Sequence, residues 1–319
     1  MKEYIIDQNS EEQRLDRFLN KLMPTAGKNF LQKMLRKKRI KLNGNRAEPK
    51  NIVVAGDKVQ IYFSEETLSA FGKEQIAYEI PRTYTYLFKQ PVFENDAILV
   101  INKPIGLLCQ PDASGDLSLV DMAISYLNEN TQTQSLTFRP SISNRLDRNT
   151  SGIVMIPKDY ATLKNVNAAI RERETTKEYR TIVKGILEKP DELRGYLTKD
   201  ISTNTVFISD EAGPDTKEVH LRYTPLETSS GYTFLNIELF TGRTHQIRSQ
   251  LSEAGYPIIG DEKYGDPTLN RQMQKTYDLP HQLLHSFHYA IPKLDYDFTA
   301  PYPPLFCKLL NALGFKGWS

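Results

Sequence analysis

Hydrophobic residues first recur at helical spacing near the N-terminus, where Leu15, Phe18, Leu19 and Leu22 predict a helix over 14–22. Pro24 and Gly27 interrupt it. A second helical stretch follows, with Phe30, Leu31, Met34 and Leu35 apolar and Lys33, Arg36 and Lys37 charged. The chain then alternates from Ile40, and Asn43-Gly44 signals a tight hairpin. Gly56-Asp57 turns again before 59–63 alternates as a strand. Residues 1–63 therefore read as a small helix-and-hairpin module, and 64–90, which show no clean period, as a connector. Beyond Val92 the pattern predicts strands at 97–101, 152–156, 179–183 and 233–240. Helices are predicted near 118–127, 160–171 and 244–254. The strands tend to follow one another, so 91–319 is expected to be an α+β domain. Its central sheet should be mixed and largely antiparallel, flanked by helices.

Composition narrows the class. The 319 residues are 39% hydrophobic and 25% charged, enough to build a core without staples. Cys109 and Cys307 form no CxxC or Cys/His cluster, which argues against a zinc site and for reduced thiols. There is no Walker loop and no GxGxxG after a strand, so no cofactor is expected. Apolar runs are strand-sized, and the N-terminus has no long apolar core, so a cytoplasmic protein is expected. The net charge of +2 hides an asymmetry. Residues 14–50 hold twelve basic and two acidic side chains, a local net of +10, which leaves −8 for the rest. Such a module suits a polyanion.

The densest polar cluster is Asn144-Arg145-Leu146-Asp147-Arg148-Asn149-Thr150-Ser151-Gly152. If 145–148 is extended, Arg145 and Asp147 share one face and Leu146 takes the other. Thr150 to Gly152 then turns the chain, and 153–156 anchors it in the core. A guanidinium beside a carboxylate favours the ionised form that a nucleophile needs. Read alone, the same residues describe a surface ion pair. Further along, Lys177, Tyr179 and Thr181 alternate onto one face. Thr241-Gly242-Arg243-Thr244-His245-Gln246-Ile247-Arg248 passes from a strand end into a helix with Thr244 as expected N-cap. Ile247, Leu251 and Ala254 should face the core, with His245 and Arg248 on a neighbouring face.

Five segments occur in a specific order: Asn102-Lys103-Pro104-Ile105-Gly106-Leu107, Arg145-Leu146-Asp147-Arg148-Asn149-Thr150-Ser151-Gly152, Lys177-Glu178-Tyr179, Thr241 to Arg248, and Gly260-Asp261 with Tyr264-Gly265. In that order they resemble the RluA-type RNA pseudouridine synthases. Residues 13–63 resemble the RNA-binding module first known from ribosomal protein S-four, through Arg14 to Leu19, the basic second helix, Ile40 to Gly44 and Ala55 to Val59. The resemblance implies an isomerase that converts specific uridines of structured RNA into pseudouridine. Large-subunit ribosomal RNA is the first candidate substrate and transfer RNA the second, and the protein is expected to act as a monomer.

The resemblance also implies roles. Asp147 matches the catalytic aspartate, Arg248 the arginine that pairs with it, and Tyr179 the tyrosine that stacks under the target base. Arg145 matches an arginine near the flipped nucleotide, and Ile247 would line the base pocket. Arg243 and the helix after it are candidates for phosphate, as are Lys33, Arg36 and Lys37 in the basic module. His245 is read as a hydrogen-bonding or phosphate contact, not a catalyst. Asn144 and Asn149 depart from the His and Asp common in the family, which bears on RNA contacts. The alternative is a non-catalytic RNA-binding assembly factor on the same scaffold. A hydrolase lacks a second carboxylate in an acid–base role.

Overall fold

The computed structural model describes residues 1–71, 78–130, 135–200, 202–203 and 205–317. The N-terminal part comprises β1 (Lys2–Ile5), β2 (Gln13–Arg14), α1 (Leu15–Leu22), α2 (Lys28–Arg36), β3 (Ile40–Leu42), β4 (Asn45–Arg46), β5 (Ile52–Val53) and β6 (Lys58–Ile61). The helices form where the pattern places them, because their apolar positions share one side. Leu15, Phe18 and Leu19 of α1 and Leu31 and Leu35 of α2 are buried. They meet Ile6, Ile40, Val53, Val59 and Ile61 in one apolar core. Asn43 and Gly44 both take positive φ (50° and 78°), the pair a two-residue hairpin loop requires. The sheet order is β1-β6-β3-β4. Strand β1 is mostly exposed, so no alternation announced it. Lys33 and Arg36 project from α2 into solvent, and Lys37 is its exposed C-cap.

The expected connector is partly ordered into elements. α3 (Glu65–Phe71) lays Leu68 and Phe71 on the N-terminal core, with the Phe71 ring 4.9 Å from that of Phe30. Residues 72–77 lie outside the described residues. α4 (Thr85–Lys89) buries Leu87 and Phe88 in the larger core. A polar clasp ties the N-terminal part to the rest. Asp7 accepts hydrogen bonds from the Ser10 and Ser135 hydroxyls and the Leu136 N–H, and Gln13 donates to Thr137.

One large sheet organises the remainder. It is built from β7 (Phe93–Glu94), β8 (Ile98–Lys103), β9 (Ser151–Pro157), β10 (Thr176–Lys184), β11 (Asp191–Asp200), β12 (Thr205–Ser209), β13 (Lys217–Ser229), β14 (Tyr232–Leu239), β15 (Leu284–Ile291) and β16 (Tyr296–Thr299). The order is β12-β11-β13-β14-β10-β15-β9-β8-β7, with β16 also on β15. Among the described residues only β15 and β9 run parallel, so the sheet is mixed and largely antiparallel, as its pattern predicts. Strand alternation sorts the core into layers. Leu99, Ile101, Val154 and Ile156 pack with α5 (Leu119–Asn130) and α7 (Gln246–Glu253). Their neighbours Ile98, Val100, Ile153 and Met155 pack with α6 (Tyr160–Arg171). α8 (Pro267–Tyr277) and α9 (Pro304–Ala312) cover Ile182 and Phe234.

The parallel contact between β9 and β15 is unusually close. Gly152 sits opposite Ser286 with φ +116°, and a Cβ there would lie 2.2 Å from the Ser286 carbonyl oxygen. Only glycine fits. Next to it His285 is fully buried. Its Nε2 lies 3.2 Å from the Ala300 carbonyl, which can only accept, so Nε2 carries the proton. Nδ1 then accepts from the Ser151 hydroxyl at 2.9 Å. Burial pushes the His285 pKa down to about 4, with the Ala300 bond opposing and the Arg180 charge assisting. The unfolded chain takes up this proton near pH 6.5 and the folded protein only near 4, so stability is lost as pH falls through that window. The loss should reach about 3 kcal/mol by the usual linkage. Urea unfolding at pH 7.5 and 4.5 checks this: His285→Gln should show a correspondingly smaller loss than the parent. Equal losses would contradict it.

Candidate active site

Asp147 lies between α5 and β9, on a segment fastened at every step. The Ser143 N–H donates to the Met155 carbonyl at 2.9 Å. The Asn144 amide donates to the Ile153 carbonyl (2.8 Å) and accepts from the Met155 N–H (2.9 Å). Asn144, considered for RNA contacts from the sequence, is thus committed to the backbone of β9. Leu146 points into the apolar core, and its N–H donates to Cys109 Sγ at 3.3 Å. The Thr150 N–H then donates to the Asp147 carbonyl at 3.1 Å. The turn therefore spans 147–150, not 150–152 as the pattern suggested, and Ser151 and Gly152 are already strand. The extended reading of 145–148 does not reach its last residue, because Arg148 and Asn149 form this turn.

Lys103 closes the loop against that turn. It is fully buried, and Nζ donates to the carbonyls of Pro104, Leu107 and Arg148, each at 2.9 Å. Three ammonium hydrogens meet three acceptors. Burial pushes its pKa down to about 8, with Cys109 and Asp147 pulling upward, so it remains charged at neutral pH.

The guanidinium beside Asp147 comes from α7, not from its sequence neighbours. Arg148 turns away to the Gly106 carbonyl and to Asp116 (2.6 Å), and Arg145 is exposed. Arg248 is only 6% exposed. Its Nη1 donates to Asp147 Oδ2 at 3.0 Å. Its Nε and Nη2 grip Asp261 at 2.6 and 2.8 Å. Asp261 is fully buried and also accepts the N–H groups of Lys263 and Tyr264. The Tyr264 ring lies against the guanidinium, 5.2 Å away. Burial opposes the Arg248 charge, but Asp261, then Asp147, outweigh it and raise its pKa further above the usual range.

α7 begins one residue later than its pattern suggests. His245, with φ +54°, is the N-cap, and the expected cap Thr244 is exposed. Gln246 does the fastening instead, accepting from the Arg243 N–H (3.1 Å) and the Thr241 hydroxyl (3.0 Å). Ile247 and Leu251 enter the core, whereas Ala254 is half-buried at the C-cap. Arg243 is exposed. The His245 ring places Nδ1 at 3.0 Å from the Tyr264 hydroxyl and Nε2 at 3.9 Å from Asp147 Oδ2. Burial pulls its pKa below the ordinary value, against the Asp147 charge.

Tyr179 sits on β10 where the pairing with β15 shifts register, a local bulge that re-aims side chains. It is buried in the same apolar cluster as Leu146 and Ile247. Burial pushes its phenol up to about 12, Ser286 opposing and Asp147 adding to the rise, so it is protonated at neutral pH. The fold thus brings Asp147, Arg248, Tyr179 and Ile247 together. Arg145 and Arg243 stay exposed, and Lys33, Arg36 and Lys37 stand on the N-terminal part. Asp147 itself is 26% exposed, open enough for a substrate to reach. Sequence reasoning assigned nothing to Asp261, Tyr264, Lys103 or Gln246. Asp261 had a signal: a carboxylate at the end of the apolar run Ile258-Ile259-Gly260 is a buried charge that needs a partner.

Comparison with known proteins identifies the family. Residues 97–253 match the family model described as RNA pseudouridylate synthase. The ribosomal large subunit pseudouridine synthase C of Rickettsia bellii is 32% identical over 80% of this chain and 84% of its own. The ribosomal large subunit pseudouridine synthase D of Haemophilus influenzae is 28% identical over 94% and 91%. Among solved structures, human RNA pseudouridylate synthase domain containing 4 superposes with a TM-score of 0.61 at 19% identity, over 72% of this chain and 95% of that one, a likeness of fold. By fold, motif order and similarity across most of its length, the chain belongs to the RNA pseudouridine synthase family, isomerases that act on RNA.

Proposed function

We propose that Asp147 is the nucleophile that starts the conversion of specific uridines in structured RNA to pseudouridine. The observation that carries this reading is the carboxylate itself: partly open, and held on one oxygen by a buried arginine that a second carboxylate anchors. The reaction breaks the N1–C1′ bond, turns the base and forms a C5–C1′ bond, while one proton leaves C5 and one is gained at N1. The balance needs no external reagent. The target base must first leave its stack. Tyr179, neutral and buried beside Ile247, suits the face of that base. The exposed cations Arg145 and Arg243 suit the displaced strand and its phosphates.

The substrate reading rests on the relatives' names, which specify the large ribosomal subunit, so ribosomal RNA is proposed first and transfer RNA second. Residues 1–63 are proposed as an S-four-type RNA arm using Lys33, Arg36 and Lys37, with 91–319 as the catalytic domain. The protein is proposed to act as a cytoplasmic monomer; among the described residues no helix is long and apolar enough to cross a membrane. A non-catalytic assembly factor would share the basic arm. It would have no use for a buried arginine locked by Asp261 and aimed at an open carboxylate.

Two outcomes test the reading. Asp147→Asn should lower pseudouridine formation on an RNA transcript by at least ~1,000-fold while RNA binding persists, measured by carbodiimide mapping and filter binding. Turnover near the parent rate would refute the assignment. Replacing Lys33, Arg36 and Lys37 with alanine should reduce the salt dependence of binding, by roughly 0.7–0.9 in log–log slope per lost phosphate contact. The rate at saturating RNA should change little. An unchanged slope would remove the arm from the RNA interface.

A further inference from the structure

The two oxygens of Asp147 are treated differently. Arg248 Nη1 at 3.0 Å and His245 Nε2 at 3.9 Å both face Oδ2. Among the described residues, none donates a hydrogen bond to Oδ1. His245 reaches this position from a left-handed backbone conformation that non-glycine residues take at a cost. Its ring is oriented from behind by Tyr264, whose hydroxyl oxygen already accepts the Val206 N–H at 2.9 Å. Tyr264 has one hydroxyl hydrogen to give. A proton on Nδ1 would aim the Nε2 lone pair at a carboxylate oxygen. With Nδ1 accepting from Tyr264, an N–H faces Asp147 instead, and the repulsion is removed.

We infer that His245 is a positioning residue whose Nε2–H, set by Tyr264, pins Asp147 Oδ2 and so presents Oδ1 to the target nucleoside. A carboxylate turns easily about its terminal torsion. The single bond from Arg248 would let its two oxygens exchange. A second donor on the same oxygen restricts that rotation, and the 3.9 Å gap is of the kind that closes when substrate fills a site. Tyr264 serves both anchors at once, its hydroxyl orienting His245 and its ring lying against Arg248.

The inference rests on Asp147 being the nucleophile, and two substitutions of His245 test it separately. Asn and Gln reproduce different halves of the ring. His245→Asn keeps a polar atom near Nδ1 for Tyr264 and suits a left-handed backbone, but it has nothing at the Nε2 position. His245→Gln places an amide N–H where Nε2–H was. In single-turnover assays at saturating RNA transcript, His245→Asn should be slower by about 10- to 100-fold, with RNA affinity and melting temperature kept. His245→Gln should recover most of the rate. A parent-like rate in His245→Asn overturns the inference, as does equal slowing in both variants. Weakened RNA binding with a parent-like saturating rate also overturns it, by making His245 an RNA contact. Asp147→Asn is run alongside: if it stays active the nucleophile assignment fails, whereas if it is inactive and His245→Asn is fast, only the role of His245 fails.

Discussion

Everything at this site depends on one buried arginine held between two carboxylates. A guanidinium taken out of water is costly, and its partners must offset the cost through good geometry. Asp261 does so with a two-pronged contact, the arrangement arginine is shaped for. Asp261 is in turn held by two backbone N–H groups, so the arginine cannot drift. Its Nη1 is left to point outward, at Asp147. The pair therefore acts less as a source of stability than as a fixed mount. Removing Arg248 or Asp261 would strand its partner's charge in the interior, so those two residues hold or fail together.

The chain reaches this geometry through a few local devices. Asp147 arrives on a turn whose start is fastened to β9 by Asn144 and whose end enters β9 at Gly152, where no side chain fits. Lys103 ties the preceding loop and the turn into one body through three carbonyls. On the opposite side, Gln246 closes the loop ahead of α7, so that Arg248 emerges one turn into a fixed helix. None of these residues needs to touch substrate. They set how precisely two side chains about a hundred residues apart in sequence meet, and small displacements at such a meeting are costly in rate.

Much of this was legible in the sequence, and the misses share a cause. Helical and strand spacing placed α1, α2, α6 and the strands β8, β9, β10 and β14, because each buries a set of apolar residues, whereas the long strands β11, β13 and β15 were not predicted. Strand β1 was invisible because it is mostly exposed and polar. The motif order brought out Asp147, Tyr179 and Arg248, but not what surrounds them. Spacing suggested that Arg145 or Arg148 neutralises Asp147. In the fold Arg148 serves Asp116 and the Gly106 carbonyl, and the cation comes from a helix distant in sequence. Thr244 is a good cap by type, yet it is exposed, and Gln246 fastens the loop from inside the helix by accepting the Arg243 N–H. Long-range partners such as Asp261 and Lys103 leave only a faint trace in sequence, a charge among apolar neighbours, because their meaning comes from what folding brings to them.

The central claim is that Asp261 acts on the chemistry only by holding Arg248 against Asp147. The most direct measurement is a double-mutant cycle on the single-turnover rate of pseudouridine formation, using Asp261→Asn and Arg248→Gln alone and combined. Each single change should slow the reaction by about 100-fold or more, and Asp261→Asn should add little once Arg248 is gone. If Asp261→Asn imposed the same factor in both backgrounds, Asp261 would act independently of Arg248, and the account would be wrong.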